Sequence, residues 1–256
     1  MTNPHINPDR FHDSAGVPWE GRQLEPNPHA GDDGSADPKL ITALNHFQSQ
    51  TAGPEAVVEA IKTARLLVPL VAQLGESEMG AHGQTVDKSA DLSIVSVASP
   101  DGQTALPVFS SVAAMQVWDA KARPVPIEAS RVALAAASEK NGRIILDPGS
   151  ATEFAIRQTA FRAIAENLPW QHPAQNQAVK AAFAAAIDAE PTIENFAVQN
   201  GDPTARLRGP EVMVYLKLVA GLGQVEVSEL LARLSLAWGA SAAIAREVDS
   251  IAVRVV

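Results

Sequence analysis

The stretch Ala105-Leu-Pro-Val-Phe-Ser-Ser-Val-Ala-Ala-Met-Gln-Val-Trp-Asp119 decides the fold of this chain. Its first five residues are apolar and typical of a buried strand, and the residues after the serine pair suit a short helix. Ser110 or Ser111 is expected to cap that helix, because a serine oxygen accepts a hydrogen bond from a free N–H of the first turn. The stretch therefore predicts a strand that leads directly into a helix.

Further segments flank this stretch in a defined order. Along the chain they are Leu66-Leu-Val-Pro-Leu-Val-Ala72, Ala122-Arg-Pro-Val-Pro126, Ile144-Ile-Leu-Asp-Pro-Gly149 and Leu168-Pro-Trp170. In order and spacing they resemble the N-terminal domain of the SseB family. The resemblance implies that domain's fold for the middle of the chain and a smaller C-terminal region after it. It implies no particular reaction.

Helix signals precede the first predicted strand. Asp37 is a good N-cap and Pro38 suits the first helical position, so a helix is expected to begin there. A second helix is expected to begin near Pro54 and to lead into a strand at 66–72. Since Pro69 has no N–H for strand pairing, that strand is expected at a sheet edge or with a bulge.

The next elements predict a mixed sheet. Ser99-Pro-Asp-Gly102 is typical of a tight turn, so 92–98 and 104–109 are expected to pair as an antiparallel hairpin. A helix at 129–140, a strand at 143–146 and a helix at 159–168 follow. This order predicts an α+β domain whose mixed sheet has helical cover.

The chain is predicted to have three parts. Residues 1–36 form an irregular N-terminal arm, 37–170 the SseB N-terminal-like α+β domain, and 171–256 a smaller C-terminal α+β domain. In the last part we expect a helix at 176–189, strands at 193–198 and 211–219, a helix with Val227, Leu230, Leu231, Leu234 and Trp238 on one face, and a terminal strand.

Composition excludes several function classes. The chain of 256 residues is 46% hydrophobic and 19% charged, which is typical of a globular protein. It contains no cysteine, so disulfides, thiol catalysis and cysteine zinc sites are excluded. A net charge of −9 with scattered basic residues argues against nucleic-acid binding. We expect a cytoplasmic protein, since neither a signal peptide nor an apolar stretch of membrane-spanning length is visible.

Two acidic regions are candidate binding sites. His82 lies among carboxylates and either binds a divalent cation or belongs to a solvated loop, and we favour the loop. Asp32 and Asp33, between two glycines, either bind a cation or an arginine or form an ordinary turn. With Trp19 and Arg22 they resemble short elements of actinobacterial SseB-like proteins. These residues predict that the arm docks on this chain or on another subunit.

Three other positions have two interpretations each. Asp147 follows a buried strand and is either a catalytic carboxylate or a turn residue, and the turn is favoured. Ser110 and Ser111 follow a strand as a nucleophile does in some hydrolases, but the surrounding glycines of that motif are absent. Arg123 begins an extended segment with prolines at 124 and 126, which would keep the segment open at a sheet edge. It is expected either to present a cation beside a groove for a partner or to belong to a rigid connection between two elements.

The sequence favours a non-enzymatic interaction or regulatory module of the SseB family. Its expected binding event is self-association or a protein partner, with no membrane, nucleic acid, cofactor or metal, and no catalytic residue is assigned. The interaction surface is expected to involve Trp19, Arg22, Asp32, Asp33, Arg123 and Asp147. The alternative is an enzyme or small-ligand or metal sensor that uses Asp32, Asp33, His82 or Asp147 in a cleft between the two domains.

Overall fold

The computed structural model describes residues 31–73, 91–138 and 142–256. The predictions for Trp19, Arg22 and His82 lie outside the described residues. The residues from Gly34 to Val256 belong to one compact unit, and residues 31–33 lie outside it.

The described residues form eight helices and ten strands, which confirms the α+β class. The helices are α1 (Pro38–Gln48), α2 (Pro54–Thr63), α3 (Val112–Trp118), α4 (Ala129–Ser138), α5 (Gln158–Ala165), α6 (Gln177–Ile187), α7 (Gln224–Ala240) and α8 (Ala242–Glu247). The strands are β1 (Arg65–Gln73), β2 (Asp91–Ile94), β3 (Val97–Ala98), β4 (Thr104–Val108), β5 (Arg123–Glu128), β6 (Arg143–Leu146), β7 (Phe154–Arg157), β8 (Ile193–Asn200), β9 (Val212–Leu218) and β10 (Ile251–Val255).

The first two helices begin where the sequence predicts. Asp37 caps α1, because its carboxylate accepts hydrogen bonds from the N–H groups of Lys39 at 2.7 Å and Leu40 at 3.3 Å. The apolar faces of α1 and α2 join the larger core, in which Phe47 packs edge-on against Phe154 of β7. These helices therefore share one core with residues of the second sheet.

The first sheet has the order β2-β1-β5 and is antiparallel. The expectation that Pro69 marks an edge strand or a bulge is wrong, since β1 is the central strand and its register against β5 is continuous. Leu67 exchanges both of its hydrogen bonds with Phe109, on the side away from β5. Pro69, two residues on and opposite Pro124, has its nitrogen on that same side, so its missing N–H removes no bond to β5.

The second sheet has the order β3-β4-β6-β7, with β4 and β6 parallel. The predicted hairpin is present, with Val97 opposite Ala105 and a turn in which Gly102 has φ of 79°. The strand predicted at 92–98 is divided, however, because β2 joins the first sheet and β3 the second. The strand β7 was not predicted.

The third sheet has the order β10-β9-β8, in which β10 is parallel to β9. Val212, Val214 and Leu216 lie on the buried face of β9, under α6 and α7. Phe183 of α6 and Trp238 of α7 pack edge-on, with ring centroids 5.1 Å apart. The short helix α8 was not predicted.

The described part of the chain has two large apolar cores. One contains residues between Leu40 and Ile164, and the other contains residues between Val179 and Ile244. Because both belong to the same compact unit, the predicted boundary near residue 170 stays a prediction. No helix within the described ranges is long and apolar enough to cross a membrane.

Candidate functional site

Two buried arginines and Asp249 form the centre of a charged cluster. Arg143 and Arg157 are register partners in β6 and β7, so their side chains lie together. Asp249 accepts two hydrogen bonds from Arg143, both at 2.8 Å, and one from Arg157 at 3.0 Å. Asp249 comes shortly before β10, so this carboxylate attaches the third sheet to the second.

The cluster also fixes the loop between β8 and β9. Arg157 donates to Asp202 at 3.0 Å and to the carbonyl of Gly209 at 2.7 Å. A Cβ on Gly209 would lie 2.3 Å from the carbonyl oxygen of Gly201, so the two sides of the loop approach as only glycine permits. The loop also buries Leu207 against Ala155 and the outer face of the second sheet.

Arg143 also donates to Asp101 at 2.8 Å, and Glu211 is a further carboxylate of the cluster. Its side chain is 1% exposed and accepts from the Thr159 hydroxyl at 2.7 Å and from the backbone N–H of Asp249 at 2.6 Å. Burial raises the pKa of Glu211 to about 7, although the hydrogen bonds from Asp249 and Thr159 favour the charged form. Glu211 therefore titrates near neutral pH inside this cluster.

A cavity of about 30 Å³ lies beside the cluster. Its polar lining includes Arg157, His172, Asp202 and Glu211. Burial lowers the pKa of His172 to about 4, and its Nδ1 accepts from the N–H of Ala174 at 3.1 Å. Ligand pockets usually measure roughly 300–1,000 Å³, so this cavity has room only for a few water molecules. The charged cluster, called the polar junction below, joins the second sheet to the third, and the cavity beside it is smaller than an ordinary ligand pocket.

Ser110 and Asp147, two residues singled out from the sequence, do meet. They follow the parallel strands β4 and β6, and Asp147 accepts from the Ser110 N–H at 2.8 Å and from its hydroxyl at 2.7 Å. The Thr152 hydroxyl donates to the same carboxylate at 2.9 Å. Asp147 is 1% exposed, so its carboxylate is not available at the surface. Ser111 caps α3 through Ala114, as predicted.

Arg123 is exposed at the start of β5, an edge strand. Pro126 lies opposite Leu67, whose hydrogen bonds point away from β5, and Pro124 occupies the equivalent position. The nitrogens of both prolines therefore face the free edge and have no hydrogen to donate. This edge is protected against pairing with another strand.

The terminal strand β10 is an edge strand with a different character. The backbone carbonyl of Ser250 accepts from the N–H of Val212, and the N–H of Val256 donates to the carbonyl of Leu216, both at 3.0 Å. In a parallel pair, alternate residues bond to the neighbouring strand. The even-numbered residues of β10 therefore bond to β9, whereas Ile251, Val253 and Val255 direct their N–H and C=O groups toward the free edge.

Neither the charged cluster nor the free edge of β10 was predicted from the sequence, and the reason is the same for both. The residues of the charged cluster are far apart in the chain, with 106 positions between the numbers of Arg143 and Asp249. The terminal strand was predicted, but its place at a sheet edge depends on which strand it joins. The polar turn residues Asp202 and Asp249 are the only local signal, and they are ordinary in loops.

The remaining predicted residues are placed simply. Asp32 and Asp33 are exposed and lie outside the compact unit that begins at Gly34. Asp147 follows β6 of the second sheet, whereas Arg123 begins β5 of the first. In the described part of the chain, no group of three or more histidine or acidic side chains is arranged to hold a metal ion.

Comparison with known proteins agrees with the fold. No curated protein and no solved structure shows significant similarity to the chain. Residues 40–163 match the SseB protein N-terminal domain, a range that begins in α1 and ends in α5. It includes the first two sheets and the strand-to-helix stretch that leads from β4 into α3. Through this domain the chain belongs to the SseB family.

Proposed function

We propose that this chain is a non-enzymatic protein-interaction module that binds an extended protein segment along the free edge of β10. The observation that carries the proposal is the direction of the β10 backbone groups. Ile251, Val253 and Val255 together present three N–H donors and three C=O acceptors in one row. Such a row is a template for the addition of another strand.

Four other edge strands, β5, β3, β7 and β8, support this choice by contrast. The edge of β5 carries two prolines, and β3 has only two residues. On β7, the N–H of Ala155 is already bonded to the carbonyl of Ala205. The pairing of β8 shifts register between Ile193 and Asn195. Natural edge strands are usually blunted by such devices, whereas β10 has no proline, β-branched residues at alternate positions and a single charge.

The size of the edge sets the expected strength. Six main-chain hydrogen bonds each contribute roughly 1 kcal/mol net, and ordering the bound segment offsets part of this. A complex of moderate affinity follows, which suits a regulatory contact. The small cavity at the polar junction gives no comparable support to the small-ligand alternative.

The test uses a substitution that changes only the outward edge. Val253→Pro removes the central outward N–H and leaves the bonds of Ala252 and Arg254 to β9 in place. Val253→Thr is the matched control, because threonine keeps both the N–H and the branched shape. Each full-length variant serves as bait for cross-linking in extracts of the native cells, followed by quantitative mass spectrometry.

We expect at least one protein captured by the wild type and by Val253→Thr to be strongly depleted with Val253→Pro. Thermal unfolding of each variant shows whether the fold is kept. Identical capture by the proline and threonine variants, with both folded, would contradict binding at β10.

A further inference from the structure

We infer that the segment bound along β10 is β10 of a second copy of this chain, paired antiparallel with Val253 at the two-fold axis. This inference rests on the proposed function and names its partner. Closed two-fold dimers are the commonest soluble assemblies, and their interface is one surface that is complementary to itself. The terminal strand meets that requirement in its hydrogen bonds, its charges and its apolar side chains.

The hydrogen bonds fit a two-fold arrangement. With Val253 opposite Val253 of the partner subunit, Ile251 lies opposite Val255 of the partner subunit. Each of these is a pair of outward-facing residues, so each exchanges two N–H to C=O bonds across the axis. All outward donors and acceptors between Ile251 and Val255 then have partners on both strands.

Charge selects this register over its neighbours. A shift of one residue pair toward the C-terminus would place Arg254 opposite Arg254 of the partner subunit, which is unfavourable. The opposite shift would place Val255 opposite Asp249 of the partner subunit, and Asp249 is bound by two arginines. In the register centred on Val253, Arg254 faces the small uncharged Ala252 of the partner subunit.

The side chains also fit. Ile251 and Val253 pack against the second apolar core, so their side chains lie on the helix-covered face of the sheet. Val255 shares that face by alternation and is 44% exposed. Pairing places it beside Ile251 of the partner subunit, which covers an apolar side chain that the single chain leaves in water. The product is one continuous sheet of six strands with helices on the same side of both halves.

The decisive experiment changes the charge at the contact between residue 252 and Arg254 of the partner subunit, which depends on register. Ala252 and Arg254 are on the sheet face opposite the core and face each other across the axis only in this arrangement. Sedimentation equilibrium of the full chain measures the dimer Kd. Since each contact occurs twice, Ala252→Lys should raise Kd about fivefold and Ala252→Glu should lower it by a similar factor. The double variant Ala252→Lys with Arg254→Glu should restore dimerisation to the wild-type level or better.

Amide hydrogen exchange gives an independent readout. The amides of Ile251, Val253 and Val255 should exchange more slowly as protein concentration rises, because dimerisation bonds them. Those of Ala252 and Arg254 should be protected at every concentration, because they bond to β9 within one chain. This alternating pattern distinguishes edge pairing from any other dimer.

A chain that stays monomeric at high concentration would overturn the second-copy inference. So would a dimer that responds equally to Ala252→Lys and Ala252→Glu, or one that Val253→Pro leaves intact. If such a chain still captures another protein that Val253→Pro releases, the proposed binding edge stands and its partner is different. If that capture is absent as well, the proposed function fails too.

Discussion

The substitution Glu211→Gln should change how the stability of the protein depends on pH. Glutamine keeps the shape of the side chain: its carbonyl accepts from the Asp249 N–H, and its amide donates to the Thr159 hydroxyl. The substitution therefore removes a titration and keeps the packing. It is the most direct test of the geometry at the polar junction.

The size of the effect follows from the raised pKa. The pKa of Glu211 is about 7 in the folded protein against 4.5 in the unfolded chain. Between these values the folded state binds a proton that the unfolded state has released, so the free energy of unfolding falls as pH rises. Each pH unit changes it by about 1.4 kcal/mol, which gives a loss of about 3 kcal/mol across the window.

His172 acts in the opposite direction. Its pKa is about 4 in the folded protein and 6.5 in the unfolded chain, so the unfolded state binds the extra proton. Stability from His172 therefore rises as pH increases from about 4 to 6.5. The two slopes cancel where the windows overlap, between pH 4.5 and 6.5, and the wild type should have nearly constant stability there.

The assay is urea unfolding followed by tryptophan fluorescence at a series of pH values. Glu211→Gln should gain about 3 kcal/mol between pH 4.5 and 6.5, where the wild type stays flat, and should then stay constant while the wild type declines through pH 7. Glu229→Gln, an exposed carboxylate on α7, is the matched control and should follow the wild type. The reasoning is refuted if Glu211→Gln and the wild type have parallel pH profiles.

Three further substitutions test the fold. Asp249→Asn should lower the free energy of unfolding by about 3–5 kcal/mol in urea titrations, because it leaves two buried arginines without their shared charge; a loss below about 1 kcal/mol would contradict a buried ion pair. Leu230→Ala should cost about 2–5 kcal/mol and Leu231→Ala clearly less, since Leu230 is 1% exposed and Leu231 is half-buried; equal losses would disagree with the orientation of α7. Ser110→Ala should cost roughly 1–3 kcal/mol in thermal or urea unfolding, because Asp147 loses a buried donor; an unchanged stability would mean that this hydrogen bond is not formed.

Much of the local structure was predictable because its signals are local. Asp37 and Ser111 cap helices that begin at the next residue, and each cap depends on atoms within three positions. The alternation in β9 fixed which residues face the core, since a strand has a period of two. Gly102 similarly adopts the positive φ that the turn sequence implies.

What could not be predicted depends on which distant strands become neighbours. Ser110 meets Asp147 because β4 and β6 pair in parallel, and parallel pairing joins strands across a long connection. The four residues of β7 are too few to show a period, so the position of Arg157 beside Arg143 was also hidden. The polar junction was hidden for the same reason, because its members come from segments that are far apart in the chain.

The polar junction supports the edge strand that we propose as the binding site. Asp249 and Ser250 immediately precede β10, and both are bonded in the cluster: Asp249 to the two arginines and to Glu211, and Ser250 to the N–H of Glu211 at 2.9 Å. The cluster thus fixes the first residues of the edge strand. A strand held in place loses little conformational entropy when a partner pairs with it, so rigidity at its base strengthens binding without any contact to the partner. This explains why a chain would keep several buried charges where apolar side chains would fold as well. It also means that Asp249→Asn should weaken any contact made through β10 even though Asp249 lies inside the molecule.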